Sequence, residues 1–78
     1  MAWVVGVSKK EKLEARIRRN PRNVSLDDFE TLIGQYGCIE MGGKHAKARI
    51  GVSTLTYKRI NPIPPEYVSD LLDIINNL

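Results

Sequence analysis

The one side chain in this sequence that changes charge near neutral pH is His45, its single histidine. It follows Gly42-Gly43-Lys44 and precedes Lys47 and Arg49, so the pattern sets an imidazole just past a glycine turn and among cations. That grouping suits chemistry on a phosphodiester. RNA is cut without an outside nucleophile when a base removes the 2′-hydroxyl proton and cations stabilise the pentacovalent phosphate that forms. His45 would transfer the proton, Lys44, Lys47, Arg49 and Lys58 would contact the RNA backbone, and Gly42 and Gly43 would let the main chain approach a phosphate closely. The plain alternative is a solvated basic surface.

Other reaction types find little support. No Gly-x-Ser-x-Gly elbow and no lysine-containing phosphate loop are present. Cys38 is the only cysteine, which gives neither a disulfide framework nor, with one histidine, a zinc signature, and a reducing cytoplasm is the natural setting. Nothing in the spacing of Glu40 and Glu66 brings them together as a carboxylate pair. Tyr36, Tyr57 and Tyr67 are of the type that stacks on unpaired bases, but all three fall at apolar positions of helical or strand patterns and are assigned to the core. Trp3 either packs an N-terminal strand against a sheet edge or meets a partner.

The charge is segregated. Seven basic residues against two acids lie between Met1 and Val24, and five against none between Lys44 and Arg59, within a net charge of +3. Two such regions suit a polyanion, because phosphate contacts supply a strong, salt-sensitive attraction. At 78 residues, with 42% hydrophobic and 27% charged, the chain reads as one globular domain without room for a large enclosed cavity. No apolar run reaches the roughly 18 residues of a membrane span, and the short Ala2–Val7 stretch has no basic segment before it, which argues against a signal peptide.

The elements that would position His45 follow from periodicity. Lys9 to Arg19 reads as a helix with Lys9, Lys12, Arg16 and Arg19 on one stripe; only Leu13 and Ile17 offer it a core contact, so it is either a docked basic arm or partly mobile. Asn20-Pro21 ends it. Ser25 with Asp28 marks the start of a second helix, whose stripe is Leu26, Phe29, Leu32, Ile33 and Tyr36, with Gly37 at a left-handed C-terminal cap. A strand from Cys38 to Met41, a Gly42-Gly43 turn and a strand reaching about Val52 come next. Ala46, Ala48, Ile50 and Val52 alternate with His45, Lys47, Arg49 and Gly51, which assigns the two sets to opposite faces. After a turn at Ser53-Thr54, a third strand from Leu55 to about Ile60 brings Lys58, and Arg59 with it, towards the basic surface. Pro65-Glu66 starts a last helix with a wide apolar face, set across the sheet beside the second helix.

The fold class expected is therefore α+β: a three-stranded antiparallel sheet covered on one face by two helices, with an extra N-terminal basic helix. The order of helix, hairpin carrying Gly43-Lys44-His45, third strand, Asn61-Pro62-Ile63-Pro64-Pro65-Glu66-Tyr67-Val68 and closing helix resembles the HicA toxin family over about Asn23 to Leu78. Members of that family are small mRNA interferases of prokaryotic toxin–antitoxin systems with a fold similar to the double-stranded-RNA-binding domain. The resemblance implies that His45 is catalytic, that mRNA is cleaved without a metal cofactor, and that a HicB antitoxin neutralises the protein by covering its active face. Many members carry a small hydroxyl residue where Lys44 stands. The match divides the chain into an extension, residues 1–22, onto which nothing carries over, and a HicA-like domain, residues 23–78. Two further readings stand beside it: a non-catalytic RNA-binding module using the same basic face, and an interaction domain whose basic face meets an acidic protein.

Overall fold

The computed structural model describes residues 9–78, with side chains from residue 12 onward. Trp3 and the apolar Ala2–Val7 stretch lie outside the described residues. The chain runs α1 (Lys9–Arg19), α2 (Leu26–Tyr36), β1 (Cys38–Gly42), β2 (His45–Ile50), β3 (Ser53–Lys58) and α3 (Pro65–Asn76), an α+β arrangement. The strands form one antiparallel sheet in the order β1-β2-β3. No helix among the described residues is long and apolar enough to cross a membrane.

One face of the sheet carries the core. Ala46, Ala48, Ile50, Leu55 and Tyr57 are buried against Phe29, Leu32 and Ile33 of α2 and Val68, Leu71 and Ile75 of α3. Phe29 meets Tyr57 edge to face at 5.0 Å, and Tyr67 meets Tyr57 at 6.4 Å. Tyr57 is buried and Tyr67 packs against the core as expected, whereas Tyr36 departs from its core assignment: it is 38% exposed and donates its hydroxyl hydrogen to Glu14. The capping expected of α2 is present, since Ser25 Oγ accepts from the Asp28 amide at 3.1 Å. Asn61 Oδ1 accepts from the Leu26 amide at 2.9 Å, which ties the proline-rich connection to the same helix end.

The N-terminal helix is docked. Ile17 is 2% exposed, and burying such a side chain contributes roughly 1.5–3 kcal/mol. The polar ties around it are Arg16 to Asp28 at 2.8 Å, Arg18 to Asn76 at 2.7 Å and Glu14 to Tyr36. Exposed ion pairs are each worth only about 0–1 kcal/mol, so Ile17 is the anchor and the arginines fix orientation.

Four local expectations are corrected. The first hairpin closes through Gly43-Lys44 rather than Gly42-Gly43, since Gly42 pairs with His45 as the last residue of β1. The second closes through Gly51-Val52, not Ser53-Thr54; Ile50 pairs with Ser53, and Val52 is fully exposed in the turn instead of facing the core. In both loops the first residue is a glycine at positive φ, +59° at Gly43 and +61° at Gly51, a geometry suited to two-residue hairpins. Lastly, Gly37 is extended (φ −166°) rather than left-handed. It immediately precedes β1 and abuts the main chain at the end of β2, and a β-carbon there would lie 2.0 Å from the Arg49 carbonyl oxygen.

Arg59 belongs to the helical side, not the basic surface. Its guanidinium grips Glu30 of α2 through Nε at 2.7 Å and Nη2 at 2.8 Å, and the Tyr57 hydroxyl donates to the same carboxylate at 2.6 Å. Burial, and then the bond to Glu30, push the Tyr57 phenol far above the ordinary tyrosine range, so it remains a donor. Arg59 holds the Glu30 carboxyl below the usual carboxylate range. A depressed carboxyl pKa stabilises the fold fully above the ordinary glutamate range, and that stability is lost as pH falls through the depressed value. Thermal melts between pH 6 and 3 are expected to show a steeper loss for wild type than for Glu30→Gln; equal slopes would remove Glu30 as a source of acid sensitivity.

Candidate nucleic-acid interface

Among the described residues, no helix covers the opposite face of the sheet. Alternation along β2 places His45, Lys47 and Arg49 on it, each exposed, while Ala46, Ala48 and Ile50 point inward. The strand register then writes the face as three rows: Gly42–His45–Lys58, Glu40–Lys47–Thr56 and Cys38–Arg49–Thr54. Lys58 is thus directly across from His45, where side chains start about 4.5–5.5 Å apart. Gly42, on the other side of His45, contributes no side chain and leaves the imidazole open from β1.

Lys44 occupies the turn beside His45, and its carbonyl accepts from the Arg59 amide at 3.3 Å, which fastens the turn to the end of β3. Lys44, Lys47 and Lys58 have no ion-pair partner among the described residues, whereas Arg16, Arg18 and Arg59 are held by carboxylates elsewhere. Lys47 and Lys58 thus neighbour His45 on this face, and Lys44 precedes it in the turn. Arg49 differs from them: its Nη2 lies 3.3 Å from Glu40 Oε1, in an exposed pair.

A shallow depression of about 180 Å³ opens on this face, lined by Glu40, Met41, Gly42, His45, Lys47 and Thr56. The structure thus brings together His45, Lys47 and Lys58, keeps Gly43 and Lys44 at the adjoining turn, and couples Arg49 to an acid. Of the other lining residues, Thr56 was not named from the sequence, and Glu40 was considered there only as half of a carboxylate pair with Glu66. Period-two alternation back from Gly42 puts Glu40 on the face of His45, but its neighbour across the ladder depends on which two residues make the turn. Among the described residues no three His, Cys, Asp or Glu side chains are grouped to hold a metal ion. No family model, no curated protein and no solved structure matches this chain.

Proposed function

We propose that this protein is a HicA-like mRNA interferase: it binds RNA on the sheet face that carries His45, Lys47 and Lys58 and cleaves it by metal-independent attack of the 2′-hydroxyl, with His45 moving a proton. The observation that carries this reading is the placement of Lys44, Lys47 and Lys58, none with an ion-pair partner among the described residues, next to a solvent-facing histidine that lines a depression. Cations around a developing phosphorane lower its barrier, and strand and turn backbone set the points from which these three side chains extend. The α–β–β–β–α order from α2 to α3 is also compatible with a double-stranded-RNA-binding-domain-like fold. In this reading the protein is the toxin of a toxin–antitoxin pair, acts in the cytoplasm where mRNA is found, and is silenced by a HicB-like antitoxin lying over the basic face.

The test is incubation of the purified chain with a long mRNA in excess chelator. Fragments ending in 2′,3′-cyclic phosphate are expected, and RNA that stays intact in chelator would overturn the ribonuclease reading. One observation favours a second reading, a non-catalytic RNA-binding module: His45 makes no hydrogen bond to a described residue that would orient its ring. Intact RNA retained at low salt and released as salt rises would select that reading.

A further inference from the structure

Cleavage by 2′-hydroxyl attack moves two protons, one away from O2′ as it bonds to phosphorus and one onto O5′ as its bond to phosphorus breaks. A single histidine cannot hold both at once. We propose that Glu40 is the second catalytic residue: it takes the 2′-hydroxyl proton as general base, while His45 as imidazolium donates its proton to the departing 5′-oxygen. This rests on the ribonuclease reading above.

Three observations carry it. Glu40 and His45 line the same depression. Glu40 is the one acidic side chain on this face of the sheet among the described residues, since the rows otherwise hold cations, threonines, Cys38 and Gly42. Finally, the register sets the two groups on a diagonal, because Glu40 pairs with Lys47 and His45 stands two residues before it. Diagonal neighbours across antiparallel strands are about 7–8 Å apart, too far to touch at the backbone but close enough for two side chains to bracket one phosphate. That separation is what in-line displacement requires, since the attacking and leaving oxygens lie on opposite sides of phosphorus.

Cations face both groups, and the phosphate that binds between them supplies the opposite charge. Glu40 is faced by Lys47 and Arg49 of β2 and the Cys38 thiol of its own strand; Arg49 engages Oε1 at 3.3 Å and holds the carboxylate on the face. Oε2 accepts no hydrogen bond from a described residue. His45 is faced by Lys58 of β3, Lys47 of β2 and Lys44 of the turn, and the helices pack on the other side of the sheet. In the step itself the O2′–P bond forms, the P–O5′ bond breaks with its electron pair on O5′, and that oxygen takes the His45 proton. Glu40 keeps the 2′ proton. The products are a 2′,3′-cyclic phosphate and a 5′-hydroxyl, and both side chains return to their starting states by exchange with water.

The deciding experiment compares wild type, Glu40→Gln, Arg49→Gln and His45→Ala across pH, on ordinary RNA and on RNA with a 5′-phosphorothiolate at the cleaved linkage, whose sulfur departs without a proton. Glu40→Gln is expected to lower kcat about 100-fold or more, to lose the rising acid limb of the profile and to keep the wild-type melting temperature. Arg49→Gln breaks the ion pair but leaves the carboxylate, so its acid limb is expected to persist. On the sulfur substrate His45→Ala should recover most of its lost rate and Glu40→Gln should not. Glu40→Gln with wild-type kcat, an altered base preference at an unchanged pH profile, or its recovery on the sulfur substrate would overturn the assignment. An inert wild type would overturn the ribonuclease reading and this one with it.

Discussion

Replacing His45 by alanine is expected to slow RNA cleavage about 10²- to 10⁴-fold while leaving the melting temperature where it is. At about 1.4 kcal/mol per tenfold, that is roughly 3–5 kcal/mol of barrier. The two halves of the expectation come from the same strand. His45 alternates with Ala46, which is 1% exposed, so its own side chain faces solvent and its removal leaves no cavity. Surface substitutions of this kind usually change stability by no more than about 0.5 kcal/mol. Loss of rate without loss of fold therefore separates chemistry from packing. Some cleavage should survive, because Lys44, Lys47 and Lys58 still stabilise phosphate charge without the imidazole. The measurement is kcat by gel at fixed salt, alongside a thermal melt; a variant that cuts within a few-fold of wild type would end the catalytic role of His45.

The second large effect is on the fold. Gly37→Ala is expected to cost about 3 kcal/mol or more, at the top of the range for overpacking, because the added carbon would meet main chain rather than a side chain that can swing aside. It would lie 2.0 Å from the Arg49 carbonyl oxygen and 2.9 Å from the carbonyl carbon. Relief requires β1 to move off β2, and that movement would spread along the Cys38–Arg49 end of the ladder on which Glu40 and Lys47 are placed. For a chain of 78 residues, total stability is of order 4–12 kcal/mol, so the loss is a large share of it. Gly34 is the internal control: it is helical, and a β-carbon there meets nothing within 4 Å. Gly34→Ala is expected to stabilise by up to about 1 kcal/mol. Urea midpoints for the two variants check this, and a Gly37→Ala midpoint equal to wild type would show that the strands separate at no cost.

The contrast between these glycines shows where sequence reasoning stops. Gly37 reads as a helix-ending glycine, and the helix does end there, but for a different reason. A left-handed cap depends on the residue's own φ, which local sequence suggests; the crowding at Gly37 depends on Arg49, twelve residues away, lying beside it. The same limit applied to Arg59. One residue after Lys58, it was expected near the basic surface, and its direction was decided by Glu30 on a helix that precedes the whole sheet.

The hairpins add a subtler case. A two-residue loop at Gly42-Gly43 would have paired Glu40 with His45, whereas the loop at Gly43-Lys44 pairs Glu40 with Lys47 and leaves the histidine on the diagonal. Both registers keep every side chain on the same face, because the shift preserves the period of two. Alternation alone therefore could not choose between them.

Legible from the residues were those features set by neighbours a few positions apart. The Ser25 cap, the apolar stripes of α2 and α3, and the division of β2 into an inward alanine–isoleucine row and an outward His45–Lys47–Arg49 row follow from periodicity and burial of apolar surface. Decided only in three dimensions were the ladder register, the docking of α1 through Ile17, the capture of Arg59 by Glu30, and the meeting of Glu40 with His45 in one depression. Each of these is a contact between segments far apart in the chain, where the free energy depends on which surfaces fit together and local propensity carries no information about the partner.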